Sequence, residues 1–290
     1  MSYIGQQLVN ALTLAGLYSL VALGVSLTFG LTRLVNFAHG EILMLGGYMT
    51  FSCMSLGVPF SLALVLAFLG TFLVGLILER SLFRFTLSKP INGFIISLGL
   101  IIVIQNAVIM FYGSEPQMIS SPLKTVWSLD GVRIPSARLV VFIVAAALIA
   151  GYLAFTKYSR WGRALRACNE DREGAALLGI PTNRIIMWTF AAGSGVAGLG
   201  GGLLAAMLPI SAGEGGLVIV KAFAIALVGG LGSPNGVVAG SLIVALLETF
   251  LPGAVMPVEW APAVPFILIV IVLLVRPQGL FKGGEGSPVS

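Results

Sequence analysis

Charge is what this chain has least of. Only 9% of its 290 residues are Asp, Glu, Lys or Arg, and 58% are hydrophobic, against about 25% and about 45–50% in an ordinary soluble domain. Mean hydropathy is +1.03. A soluble fold of this composition could not cover its surface with polar groups, so lipid must be the solvent for most of it. Cysteine is almost as scarce. Cys53 and Cys168 fall in an apolar run and in a basic loop, which supports neither a disulfide nor a metal pair. His39 is the single histidine and cannot build a metal site. A local bond near the membrane interface is its default reading. No GxxxxGK[ST] loop is present to cradle nucleotide phosphates, and no HExxH or GxSxG motif occurs. The chain is therefore expected neither to hydrolyse ATP itself nor to be an enzyme, and no cofactor is expected. The net charge of +5 lies in loops without interleaved aromatics, which argues against a nucleic-acid surface. The N-terminus has no positive region ahead of its apolar run, and that run is too long for a cleavable signal.

What is abundant is apolar sequence in long runs. A span needs about 20 apolar residues. The candidates are 8–31, 40–56, 60–79, 91–111, 139–156, 185–209, 217–231, 237–251 and 262–275. The last three are short and read as tilted, broken or partly re-entrant. The expected fold class is thus an all-α integral membrane bundle of about eight to ten helices, some short or broken, in one domain over residues 1–290. Basic residues orient it. Arg80, Arg84 and Lys89 form one cluster. Lys157, Arg160, Arg163, Arg166, Arg172 and Arg184 form a second, and Arg276 and Lys282 a third. Nine spans put all three on one side, expected to be the cytoplasm. Residues 112–138 are then an external loop. Pro116, Pro122, Pro135 and the turn Asp130-Gly131 predict a small hairpin there.

Glycine is also plentiful, with 37 residues, nearly twice the usual share of about 7%. Gly198 and Gly202 stand at GxxxG spacing inside a span, which predicts tight helix packing; a helix that bends during transport is the compatible second reading. Charge inside a span needs a partner or a role. Lys221 and Glu248 lie at similar depth if the seventh and eighth spans are antiparallel, so they are expected to pair, as a structural ion pair or as part of a gate. Gln105 and Asn106 are expected to bond between helices. Asn36 and His39, between the first two spans, complete the translocation or gating candidates. Glu79, Glu248 and Glu259 fall toward span ends, which disfavours an ion-driven transporter and favours a permease driven by a separate ATPase.

The polar insert 157–184, KYSRWGRALRACNEDREGAALLGIPTNR, reads as a short helix from Glu173 to Gly179. Asp171 and Glu173 suit its positive end, and Gly179 with Pro181 ends it. Small residues Gly174, Ala175 and Ala176 beside Leu177-Leu178 suit insertion into a partner's groove. The other reading is a segment lying on the lipid surface.

Three stretches carry a family resemblance. They are Leu34-Val-Asn-Phe-Ala-His-Gly40 with Gly46-Gly-Tyr48; Gly162-Arg-Ala-Leu-Arg-Ala167 leading to Asp171-Arg-Glu-Gly-Ala-Ala-Leu-Leu-Gly-Ile180; and Lys221-Ala-Phe-Ala-Ile-Ala-Leu-Val-Gly-Gly-Leu-Gly-Ser233. With them, nearly the whole chain resembles the permeases of bacterial ABC importers for branched-chain amino acids. The resemblance implies a multi-pass protein of the bacterial inner membrane. Its implied partners are a second related permease, two cytoplasmic ATP-binding subunits and a periplasmic binding protein that delivers an amino acid. It further implies an ATPase-docking loop. Glu173 to Gly179 fits the EAAxxxG spacing of such loops, with Gly174 in place of the first Ala, and Arg163 and Arg166 precede it. The continuation beyond Gly179 departs from the pattern.

Overall fold

The computed structural model describes residues 2–33, 35–87, 89–119, 125–129 and 132–276. Backbone groups in lipid must be satisfied within the chain, so the apolar runs become helices. These are α1 (Ser2–Thr32), α2 (His39–Ser55), α3 (Phe60–Ser81), α4 (Pro90–Tyr112), α5 (Ser136–Tyr158), α6 (Arg160–Glu170), α7 (Arg172–Leu177), α8 (Thr182–Ala205), α9 (Glu214–Gly229), α10 (Pro234–Phe250) and α11 (Val264–Val275). Each of the predicted apolar segments is helical. Five, α1, α3, α4, α5 and α8, are long and apolar enough to cross a bilayer. α9 and α10 pass that test together but turn by 117° at residues 230–233. Gly230 (φ 94°) and Gly232 (φ 83°) take the left-handed backbone that this turn needs. α2, with 17 residues, and α11, with 12, are shorter.

α1 and α8 form the buried centre. Glycine lets α2 reach it. A Cβ on Gly46 would strike the Gly198 backbone, and one on Gly201 would strike the Leu43 carbonyl. Gly198 also faces Thr71 of α3, and Gly202 faces Thr50 of α2 and Leu64 of α3. The GxxxG pair is therefore a close-packing device, with three helices meeting nearly backbone to backbone. α3, α4 and α5 lie around this centre and leave most of their residues unburied.

Two ends can be told apart. At one, β1 (Val126–Leu129) and β2 (Val132–Pro135) pair antiparallel, the small hairpin expected in the loop. It sits on the start of α1, where Arg133 N donates to Gln6 Oε1 at 2.8 Å. At the other end, the last turns of α1 meet α6, α7 and the segment after α3. Leu31, Leu165, Ala175 and Ile185 share one cluster there, with Leu87 against it. The first two basic clusters are thus at one end and the hairpin at the other. Pro122, Lys124, Asp130-Gly131 and Lys282 lie outside the described residues.

Candidate translocation and coupling sites

Two polar clusters lie within the bundle. The first joins α1, α9 and α10. Lys221 Nζ is 2.6 Å from Glu248 Oε1 and donates to the Tyr18 hydroxyl at 3.0 Å. The Tyr18 O–H donates to Glu248 Oε2 at 2.8 Å. The expected pair therefore exists, with Tyr18 as a third member that sequence spacing does not reveal. The three groups close a ring of contacts, so neither charge is left without a partner. Below it, Ser19 bonds Ser241, and Gly232 N donates to Ser26 Oγ at 3.0 Å. One face of α1 is thereby fastened along α10 and to the α9–α10 turn.

The second cluster differs from expectation. Asn36, His39 and Glu41 are all buried. His39 packs on Gly24, where a Cβ would meet its Nε2. Gly24 is eight residues inside the end of α1, about 12 Å at the helical rise. α2 therefore starts well inside the bundle. Its non-helical lead-in is held by Asn36 Oδ1, which accepts from Ala38 N at 3.0 Å, and by Ser97 Oγ, which accepts from Phe37 N at 3.3 Å. The interfacial bond expected of His39 is absent. Neither of its ring nitrogens has a partner among the described residues, nor do Asn36 Nδ2 and Glu41 Oε2.

Gln105 Nε2 donates to Glu41 Oε1 at 2.9 Å, so Gln105 does bond between helices. Asn106 does not. It is exposed, and its Nδ2 donates to Ile102 O one turn back at 2.8 Å. Glu41 stands at the start of the predicted segment 40–56, next to Asn36 and His39, and so does not stand out as a charge inside a span. Its burial also corrects the argument that carboxylates fall only toward span ends. Glu79 is buried as well and pairs with Arg84 at 3.0 Å, whereas Glu259 is exposed.

At the basic end, the insert is two capped helices rather than one. Ser159 Oγ accepts from Gly162 N at 2.8 Å and starts α6. Gly162, Leu165 and Cys168 recur every three residues and face inward, a periodicity that could have marked this helix in the sequence. Burial pushes the Cys168 thiol pKa up, and the nearby Arg172 guanidinium opposes that. Arg166 donates to the Thr156 carbonyl, and Arg163 to the Tyr158 carbonyl at 3.4 Å, so both bind the end of α5. Asp171 Oδ1 accepts from Glu173 N at 3.0 Å and caps α7. Gly174 leaves room for the Asp171 carboxylate.

α7 ends as the residue pattern predicts. Ile180 N donates to Ala175 O and Gly179 N to Ala176 O, both at 3.0 Å, with Gly179 at φ 82°; this is a Schellman closure. The small residues do not share one outer face, however. Ala175 is buried among Leu31, Leu165 and Ile185, while Glu173, Ala176 and Gly179 are exposed. Leu177 and Leu178 are 89% and 84% exposed, so the apolar tip projects outward. Asn169 of α6 reaches the α9–α10 turn, its Nδ2 donating to Gly232 O at 3.5 Å. Hence α6 touches the element that bears Lys221 and Glu248.

Comparison with known proteins shows the family. Residues 7–273 match the family model described as branched-chain amino acid transport system / permease component. The chain belongs to that family. The permease is 35% identical to the high-affinity branched-chain amino acid transport system permease protein LivH of Escherichia coli (strain K12), over 99% of this chain and 98% of that one. LivH of Salmonella typhimurium gives the same identity and coverage. BraD of Pseudomonas aeruginosa is 35% identical over 98% of this chain and 97% of its own. No solved structure matches the permease. It is a multi-pass membrane protein of a transport family rather than an enzyme. The family is one of importer permeases, which work with ATPase and binding-protein partners.

Proposed function

We propose that this permease is a membrane subunit of a binding-protein-dependent ABC importer for branched-chain amino acids in a bacterial inner membrane. The full-length match to the family carries this reading. Its partners are a second related permease, two cytoplasmic ATP-binding subunits and a periplasmic protein that delivers leucine, isoleucine or valine. The basic end faces the cytoplasm. α6 and α7, within 157–184, form the ATPase-docking loop, and Leu177 and Leu178 are its contact. Two exposed leucines on a capped helix suit a groove in a soluble partner.

Coupling follows from what α6 holds. Motion at α7 passes to α6, through Asn169 to the α9–α10 turn, and along α10 to Glu248. The ring of Tyr18, Lys221 and Glu248 is a latch that keeps α9 and α10 on α1. Asn36, His39 and Glu41 are gating candidates, because buried polar atoms without partners are poised to gain them when helices move. Gln105 joins them through its bond to Glu41, and Asn106 remains a candidate on its place in the sequence beside Gln105.

The test is uptake in a strain lacking this gene. Leucine uptake lost on deletion and restored by the intact chain supports the assignment. Unchanged uptake of leucine, isoleucine and valine at low external concentration contradicts it.

A further inference from the structure

A cavity of about 410 Å³ opens at the side of the bundle, near its basic end. α1, α5 and α8 form its walls, and α3 and α6 its rim. Leu20, Leu27, Phe72 and Phe155 line it, with Trp161 and Trp188 beside them. Its border carries the hydroxyls of Tyr152 and Thr189, and none of the described residues that line it is charged. Trp161 and Trp188 are 48% and 44% exposed, so they stand at the mouth. Trp188 also packs on Phe72, with ring centroids 5.8 Å apart and planes tilted by 38°.

The lining decides what can enter. A zwitterionic amino acid would bury an ammonium and a carboxylate with no partner for either, which is prohibitive. Water has too few polar partners to stay. Hydrocarbon meets no such cost and regains the contacts an empty void would lose. The mouth adds a second feature. Arg160 precedes Trp161 and Arg184 precedes Ile185, itself in the lining. Both arginines are exposed, and neither side chain has a hydrogen bond or ion pair among the described residues. Half-exposed tryptophans beside free arginines match the headgroup level of a leaflet, and anionic headgroups gather on basic segments at the cytoplasmic surface.

We propose that this cavity holds an acyl chain of an anionic phospholipid, with the headgroup phosphate on Arg160 and Arg184. The lipid wedges α5 against α8 beside α6. The inference depends on the membrane fold and not on the transported substrate.

The experiment purifies the assembled transporter from its own membrane, washes it with delipidating detergent and measures the retained phospholipid by mass spectrometry. The intact protein is expected to keep phospholipid enriched in phosphatidylglycerol over the bulk membrane. Ala192→Trp, which fills the cavity from its lining, should lose it. Arg160→Ala with Arg184→Ala should keep a lipid but lose the anionic enrichment. Equal lipid in all three proteins overturns the proposal, and so does displacement of the lipid by excess leucine. A second measurement does not depend on these variants. Phosphatidylglycerol with a photoreactive acyl chain should crosslink to the peptides that contain Trp161 and Trp188 in the unaltered protein. Crosslinks confined to other peptides, or these peptides found joined to the second permease, show that lipid is not the occupant.

Discussion

The Lys221–Glu248 pair was legible at the scale of single residues because a charge in an apolar run demands a partner. Two adjacent antiparallel segments offered only one choice. Tyr18 was not legible, since nothing in α1 marks that tyrosine from its neighbours. Glu41 was missed for the opposite reason. It opens the apolar segment 40–56 beside polar neighbours, and glycine contacts with α1, α8 and α9, Gly40 against Gly215 among them, draw the start of α2 inward. The ring makes a double-mutant prediction. Lys221→Met or Glu248→Leu alone leaves one half-buried charge without its counter-ion, which costs less than the about 3–5 kcal/mol typical of a fully buried pair. The double variant should lose much less than the sum of the two, read as thermal stability of the assembled transporter. Additive losses would show that the pair is not coupled. Tyr18→Phe should cost less than either single change, about 1 kcal/mol, because the ion pair stays in contact.

Among the elements, α7 was well forecast in its ends but not in its facing. Asp171, Gly179 and Pro181 are local signals, whereas the rotation that buries Ala175 is set by contact with α1, α6 and α8. α6 is harder to read in the sequence, because its arginines mask the inward spacing of Gly162, Leu165 and Cys168. Ala175→Trp should therefore destabilise the permease itself, lowering its yield in membranes, rather than selectively releasing the ATPase. Helix packing gives a companion prediction. Gly46→Leu would place a side chain into the Gly198 backbone. Folded protein recovered in mild detergent should fall several-fold, while Gly99→Leu, whose site is open, should be recovered at the intact level. Equal recovery of both glycine variants would mean that α2 and α8 are not in close contact.

For the whole molecule, composition and run length sufficed to place nine apolar segments. They could not show that the α9–α10 pair turns by 117° or that α2 starts inside the bundle, because both depend on neighbouring helices. The two ends provide a topological test. Single cysteines at Ser128 in the hairpin and Glu170 on α6, both exposed, in a cysteine-free background should differ toward an impermeant thiol reagent on intact cells. The first should label and the second should not; the reverse pattern would invert the orientation.

The central claim is that ATP hydrolysis in separate subunits drives substrate through this permease by way of α6 and α7. The direct measurement is leucine uptake together with ATP hydrolysis by the complete transporter in proteoliposomes, with intact permease and with Leu177→Asp and Leu178→Asp combined. Those side chains are almost wholly exposed, so the double variant should fold and pair with the second permease as the intact protein does. The account predicts that its uptake falls at least about ten-fold, as loss of a buried apolar anchor would cause, with ATPase subunits lost from the complex or hydrolysing without uptake. Full uptake at normal ATP cost would contradict it.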